Sequence, residues 1–348
     1  MLASIARAIA DHGPLPLARA MAMAADHYYA THEPFGPAGD FVTAPEISQM
    51  FGELIGLWLA DIWQRAGSPD RVALVELGPG RGTLMADALR AIGRAAPGLM
   101  AAAELHLVER SVRLRGLQAE RLPGAVWHDG TGSLPDDRPM LLVANEFLDA
   151  QPLTQFERTA DGWALRRVGA GGWDSDLSAN VRFIPEAIRD APPGSVHERN
   201  FAAEALVAGV ARRIGAQGGA ALFIDYGYGG PALGDTLQAI RHGQFADVLQ
   251  TLGEADISAH VDFSAMAAAA APHARIFGPV AQGGFLDAIG LTARSTALKT
   301  LASIPARAEI EAARVRLSAV GAMGRLFQVL AIAAQDWPAP AGFPTLPE

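Results

Sequence analysis

The sequence has no cysteine. Disulfides and thiolate metal sites are therefore excluded, and a reducing compartment fits without being required. Positive charge is also scarce. Lys and Arg number 28 against 37 Asp and Glu, for a formal net charge of -9. With a pI near 5.5, no nucleic-acid groove is expected to cover the surface, although a local basic patch stays open. No apolar run approaches the roughly 18 residues of a membrane span, so no membrane insertion is expected. There is no fixed-period repeat.

What is present suits a large globular core. Half of the 348 residues are hydrophobic, and the length corresponds to about two domains. The N-terminus, rich in Ala and Arg and poor in acids, could pass for a transit peptide. Its Gly-Pro break predicts two short helices over residues 1–30 that belong to the fold. Residues 32–46 carry Gly and Pro at turn spacing and read as a loop. Thr43 followed by Glu46 is a capping-box pattern, so a helix is expected to open there and run to about Arg65.

From residue 71 the rhythm becomes strand, helix, strand. "RVALVELG", "AELHLVER", "AVWHD" and "PMLLVANEF" are strands separated by helical stretches. That alternation predicts a parallel sheet with crossover helices, covered on both faces. After Pro152 an antiparallel hairpin is expected, with Asp161-Gly162 in its turn. A polar connection over 174–200, a helix over about 201–215 and another buried strand in "GGAALFIDYGYGG" follow. Residues 231–272 read as an insertion, and "MGRLFQVLAIA" is either a last strand or a helix.

The chemistry centres on "VELGPGRGTL", residues 75–84. Gly78, Gly80 and Gly82 let the chain turn sharply and approach a ligand closely. The helix behind them, opening with Thr83 and Leu84, points N–H groups at the site. The spacing is not that of a dinucleotide fingerprint, because the third glycine comes one residue early; a P-loop would need a Gly-Lys-Ser/Thr that is absent. Glu76-x-Gly78-x-Gly80-x-Gly82 resembles motif I of class I S-adenosylmethionine-dependent methyltransferases. Glu109, 33 residues beyond Glu76, stands at the tip of the second strand, where a carboxylate accepts both ribose hydroxyls of a nucleoside. NAD enzymes share that feature. Asp129, after the third strand, is a candidate for the adenine amino group. Asn145, Glu146 and Asp149 follow the fourth strand, where an acceptor substrate would lie. Glu146 occupies the position from which protein arginine methyltransferases supply a substrate-binding glutamate, an analogy at the level of the fold.

Further blocks extend the likeness: "GDFVTAPEISQMFGELIGLW", "LHLVERS", "ANEFLDAQP", "IDYGY", "DTLQAIRHGQF", "ISAHVDF" and "MGRLFQVLA". In this order they resemble the family of the mitochondrial complex I assembly arginine methyltransferase and its bacterial, MidA-like relatives, over about residues 15–335. Gln151 stands where Leu is usual, and Ile257-Ser258 where Leu-Thr is usual; neither removes a polar group named above. The resemblance implies a class I methyltransferase fold: α/β and Rossmann-like, with a seven-stranded, mostly parallel sheet, a helical N-terminal extension and an inserted lobe. It divides the chain into an extension with a cofactor-covering loop (1–66), a cofactor-binding core (67–152), a hairpin and helix connection (153–217), and the rest of the sheet (218–348) with its insertion at about 231–272.

The resemblance also implies S-adenosyl-L-methionine as donor and a protein arginine, such as one on a complex I subunit, as acceptor. Its setting would be the bacterial cytoplasm or the mitochondrial matrix, with a homo-oligomer left open. Asp40, Phe41, Thr43 and Glu46 would fold over the cofactor, while Thr43 and Glu46 could equally be helix caps. Asp225, Tyr226 and Tyr228 could line the pocket. His260 and Asp262 read first as a packed, hydrogen-bonded pair, and no metal site is expected around a lone histidine with one acid. Two other functions stay open: an assembly chaperone that binds the cofactor without essential catalysis, and an NAD-dependent oxidoreductase.

Overall fold

The computed structural model describes residues 2–32 and 43–344. The chain forms two compact units. Among the described residues, one holds 43–147, 206–227 and 267–344, and the other holds 2–32, 148–205 and 228–266. Asp40 and Phe41, expected to cover the cofactor, lie outside the described residues.

The first of these units is built on a mixed sheet. Among the described residues the sheet has eight strands, one more than expected, and seven of them form its path: β1 (Val72–Leu77), β2 (Ala103–Val108), β3 (Val126–His128), β4 (Met140–Asn145), β5 (Gly219–Tyr228), β6 (Arg275–Ala281) and β7 (Phe327–Ala333). Their path runs β6-β7-β5-β4-β1-β2-β3. Pairs from β5 through β3 are parallel, and β7 runs antiparallel to both its neighbours. β1 and β4 are buried at every position, as strands covered on both faces must be. Leu77 stands level with Val108 on one side and Ala144 on the other, so β1, β2 and β4 end at one edge.

Helix Gln49–Arg65 packs closely on helix Thr83–Ala95. The approach depends on small residues: a Cβ added at Gly56 would lie 2.5 Å from the Ala88 carbonyl oxygen, and one at Gly52 would lie 2.6 Å from Asp87 Cβ. The expected single helix from Thr43 is instead two. Ala44–Ile47 stops at Ser48, whose backbone is extended, and Ser48 caps the second helix by accepting from the Met50 N–H. Thr43 occupies the N-cap position without a side-chain cap bond. The capping box fails because the Glu46 carboxylate is drawn elsewhere, to Thr83. At the other end, "MGRLFQVLAIA" resolves into a short helix Met323–Leu326 and then β7, whose last five residues are buried between β5 and β6.

In the second unit, helices Ala3–His12 and Leu17–Thr31 form as expected. Ile5, Ile9, Leu17 and Met21 share one core with Leu153, Val168, Ala239 and Leu252. Burial of these apolar faces, at about 25 cal/mol per Å², stabilises the helices far more than their short length could. The hairpin pairs Thr154–Thr159 with Gly162–Gly169. Its turn is Ala160-Asp161, one residue earlier than expected, because Gly162 already pairs with Thr159. The connection over 174–200 is more ordered than its polarity suggests. Gly172–Asp176 extends the hairpin, and Val196–Arg199 pairs with Thr154–Thr159. Residues 238–258 form a three-stranded antiparallel sheet. No helix among the described residues is long and apolar enough to cross a membrane.

Candidate active site

The turn after β1 carries Gly78, Gly80 and Gly82 at φ of 60°, 53° and 77°. All three lie in the left-handed region that favours glycine. A Cβ at Gly78 would sit 2.5 Å from Phe147 Cδ2, and one at Gly82 would sit 3.1 Å from Leu122 Cδ1. Helix Thr83–Ala95 begins immediately after, with Leu84 buried. Just inside the turn, Glu76 is 3% exposed, and its Oε2 is buried with no hydrogen-bond partner. Burial pushes its carboxyl up to about 8, because the charged form loses its hydration.

Glu109 stands at the tip of β2. Its Oε1 accepts from the Ser111 N–H at 2.8 Å and its Oε2 from Gln118 Nε2 at 3.4 Å. Burial raises its pKa, while the Ser111 and Gln118 bonds oppose the rise. The Arg110 N–H also bonds this carboxylate, which has about four acceptor sites, so capacity remains for a ligand hydroxyl. Gln118 was invisible in the sequence. It is fully buried, donates to the Gly80 carbonyl at 2.8 Å and accepts from Trp127 Nε1 at 2.8 Å. One amide thus ties the glycine turn to the β2 acid and the β3 indole. Asp129, by contrast, has its side chain 88% exposed and paired with Arg115 at 2.5 Å. Arg115 also donates to the Glu109 carbonyl.

Thr83 is engaged by its own chain. Its hydroxyl donates to Glu46 Oε1 at 2.5 Å and accepts from Arg121 at 2.5 Å. Arg81 lies 3.8 Å from the other Glu46 oxygen. Thr43 contributes its carbonyl, which accepts from the N–H groups of Glu46 and Ile47.

The end of β4 is the second focus. Glu146 has φ 50°, rare for a residue with a side chain. Its N–H donates to the Ile224 carbonyl. Its Oε1 accepts from the Ala44 N–H at 2.9 Å and from Asn145 Nδ2 at 3.0 Å. The carboxylate expected to grip a guanidinium therefore already receives two protein donors at one oxygen. Asn145 is 9% exposed, and its Oδ1 has no partner. Asp225, fully buried, accepts from the Phe147 N–H at 3.1 Å and the Tyr226 N–H at 2.9 Å.

The other expected residues fall in the second unit. Asp149 caps its own turn through the Ala150 N–H, and its carbonyl accepts from Ala259. Asp262 accepts from the Ser264 and Ala265 N–H groups at the start of helix Phe263–Ala270, so it is a helix cap. His260 donates its backbone N–H to Thr236. Tyr228, His260 and Asp262 line a small cleft with Glu198 and Arg199. Among the described residues, no group of three His, Asp or Glu side chains is placed to hold a metal ion.

The turn and acids of the sheet edge fit a nucleoside with a cationic tail. The fit rests on a buried carboxylate oxygen lacking a donor at Glu76 and on spare acceptor capacity at Glu109, on either side of a turn bent through three left-handed glycines. The sequence profile of the S-adenosyl-L-methionine-dependent methyltransferases matches residues 54–280. The chain is 33% identical to the mitochondrial protein arginine methyltransferase NDUFAF7 of Danio rerio, covering 95% of this chain and 86% of that one. With the human protein of the same name the identity is 32%, over 84% and 74%. A Burkholderia thailandensis crystal structure bound to S-adenosyl-homocysteine superposes with a TM-score of 0.81 at 26% identity, covering 98% of this chain and 93% of that one.

Proposed function

The chain belongs to the family of S-adenosyl-L-methionine-dependent methyltransferases, and on that premise we propose that it methylates an ω-nitrogen of an arginine in a protein. The observation that carries this reading is a juxtaposition. The glycine turn after β1 and the Asn145-Glu146 pair after β4 leave adjacent parallel strands at the same edge. In open α/β sheets that edge is where ligands bind. The names of the relatives supply the acceptor type.

When bound, the donor supplies an electrophilic methyl group on a sulfonium. The chain's part is to hold it and to aim the acceptor. We assign Gly78, Gly80, Gly82, Thr83, Leu84 and Thr43 to the donor's surroundings. Glu109 would take the ribose hydroxyls, Asp129 the base at the rim, and Glu76 the cationic end. Asn145 and Glu146 would orient the acceptor, which must approach the methyl carbon to about 3–3.5 Å in line. A complex I subunit, in the bacterial cytoplasm or the mitochondrial matrix, is the partner that the resemblance supports. Comparative mass spectrometry of cells with and without the gene tests the reading. An arginine methyl mark should vanish with the gene; an unchanged methyl proteome overturns the assignment.

A further inference from the structure

The strongest unexplained feature is a single atom. Asn145 Oδ1 is buried and has no hydrogen-bond partner. A buried acceptor without a donor costs about 1–3 kcal/mol, and such atoms in folded proteins call for a reason. The orientation of this amide is physically determined. Its neighbour, Glu146 Oε1, belongs to a carboxylate that when ionised only accepts, so the amide must present its NH2 group there. The carbonyl then faces away from Glu146.

Glu146 is in turn held on several sides. The Ala44 N–H donates to the same oxygen, and the Glu146 N–H is tied to Ile224. Two residues beyond Ala44, Glu46 accepts from Thr83, the first residue of the helix behind the glycine turn. The segment Thr43–Ile47 thus links the donor side to the acceptor side by bonds at both of its ends.

Building on the methyltransferase reading above, we propose that Asn145 Oδ1 is the atom that receives an N–H of the acceptor nitrogen, and that Glu146 is a positioning residue that holds the amide in this orientation. The hydrogen bond directs the nitrogen so that its lone pair meets the methyl carbon. The N–C bond forms as the C–S bond breaks, the electron pair stays on sulfur, and the nitrogen's proton passes to water. Asn145 accepts a hydrogen bond and takes no proton. A neutral amide adds little attraction for charge, so it selects the acceptor by N–H direction.

The test uses tritiated S-adenosyl-L-methionine and proteins extracted from cells lacking the gene. Asn145→Ala should lower kcat/KM at least a hundredfold, with S-adenosylhomocysteine affinity within about threefold and the melting temperature not lowered. Glu146→Gln should stay within about tenfold of wild type, because a glutamine oxygen can take the same two donors. Glu146→Ala, which removes that oxygen, should fall toward Asn145→Ala. Full activity in Asn145→Ala, or a loss accompanied by a lower melting temperature, overturns the proposal. So does a Glu146→Gln variant as inactive as Asn145→Ala, which would return the acceptor contact to the carboxylate. A wild-type protein that incorporates no label overturns the methyl-transfer reading itself, and this proposal with it.

Discussion

The turns after β1 and β4 leave one edge of one sheet from adjacent parallel strands, and both carry the backbone through positive φ. The first does so with three glycines, the second with a glutamate. The difference follows from what each turn presents. The β1 turn presents bare backbone, and any side chain at Gly78 would occupy the space of the Phe147 ring. The β4 turn presents a side-chain oxygen that accepts from the Asn145 amide and the Ala44 N–H, and so carries a left-handed glutamate at a cost of roughly 1–2 kcal/mol. Bonds from Ala44, Asn145 and Ile224 offset that strain. Phe147 joins the two turns: its ring covers Gly78 while its N–H is anchored by Asp225.

Replacing Gly78 by Ala should break the arrangement most. The new Cβ meets the Phe147 ring at 2.5 Å and imposes a left-handed conformation on an L-residue. A cost of about 3 kcal/mol and at least a hundredfold loss of S-adenosylhomocysteine affinity by calorimetry are expected. Gly67→Ala is the control. That residue also has positive φ but nothing within 4 Å of an added Cβ, so only the smaller backbone cost, about 1 kcal/mol, should appear.

Glu76 gives an intermediate effect and separates burial from conformation. Its pKa is raised to about 8 from 4.5, so the folded chain keeps the proton at pH values where the unfolded chain has lost it. The stabilising contribution is complete below about 4.5 and is lost as the pH rises through about 8, at about 1.4 kcal/mol per unit of difference. Ligand-free protein should therefore melt at lower temperature as the pH is raised from 5 to 8, and Glu76→Gln should flatten that slope. Parallel melting curves for the two proteins would contradict the burial argument.

The smallest change is expected for the folding stability of Glu146→Gly. Relief of the left-handed strain and loss of the accepted bonds act in opposite directions, so denaturation should shift by no more than about 1 kcal/mol. Methylation should nevertheless fall, since the amide of Asn145 loses its anchor. A large destabilisation would show that the bonds dominate and the strain is minor.

Much of this was legible. The alternation of strands and helices, the crowded glycines and the acids at strand ends are local patterns, and the sheet and its β1 turn followed them. The helix start at Thr43 was legible, but the break at Ser48 was not, and no capping box forms because Glu46 has a distant partner, Thr83. The hairpin turn slipped by one residue because Gly162, a strong turn signal, already serves the strand. Order within 174–200 escaped notice because pairing with Thr154–Thr159, not local propensity, makes a strand of Val196–Arg199. Gln118 and the Ala44 N–H had no signal at all.

By itself, the sequence pointed to a nucleoside ligand at the strand ends, because bare turns and acids at strand tips are local consequences of residue type and period. The tertiary structure decided which atoms are engaged and which still need a donor. Gln118 reaches Gly80 across 38 positions and Ala44 reaches Glu146 across 102. Hydrogen-bond partners at such separations are chosen by how the sheet packs, and no periodicity along the chain encodes that choice.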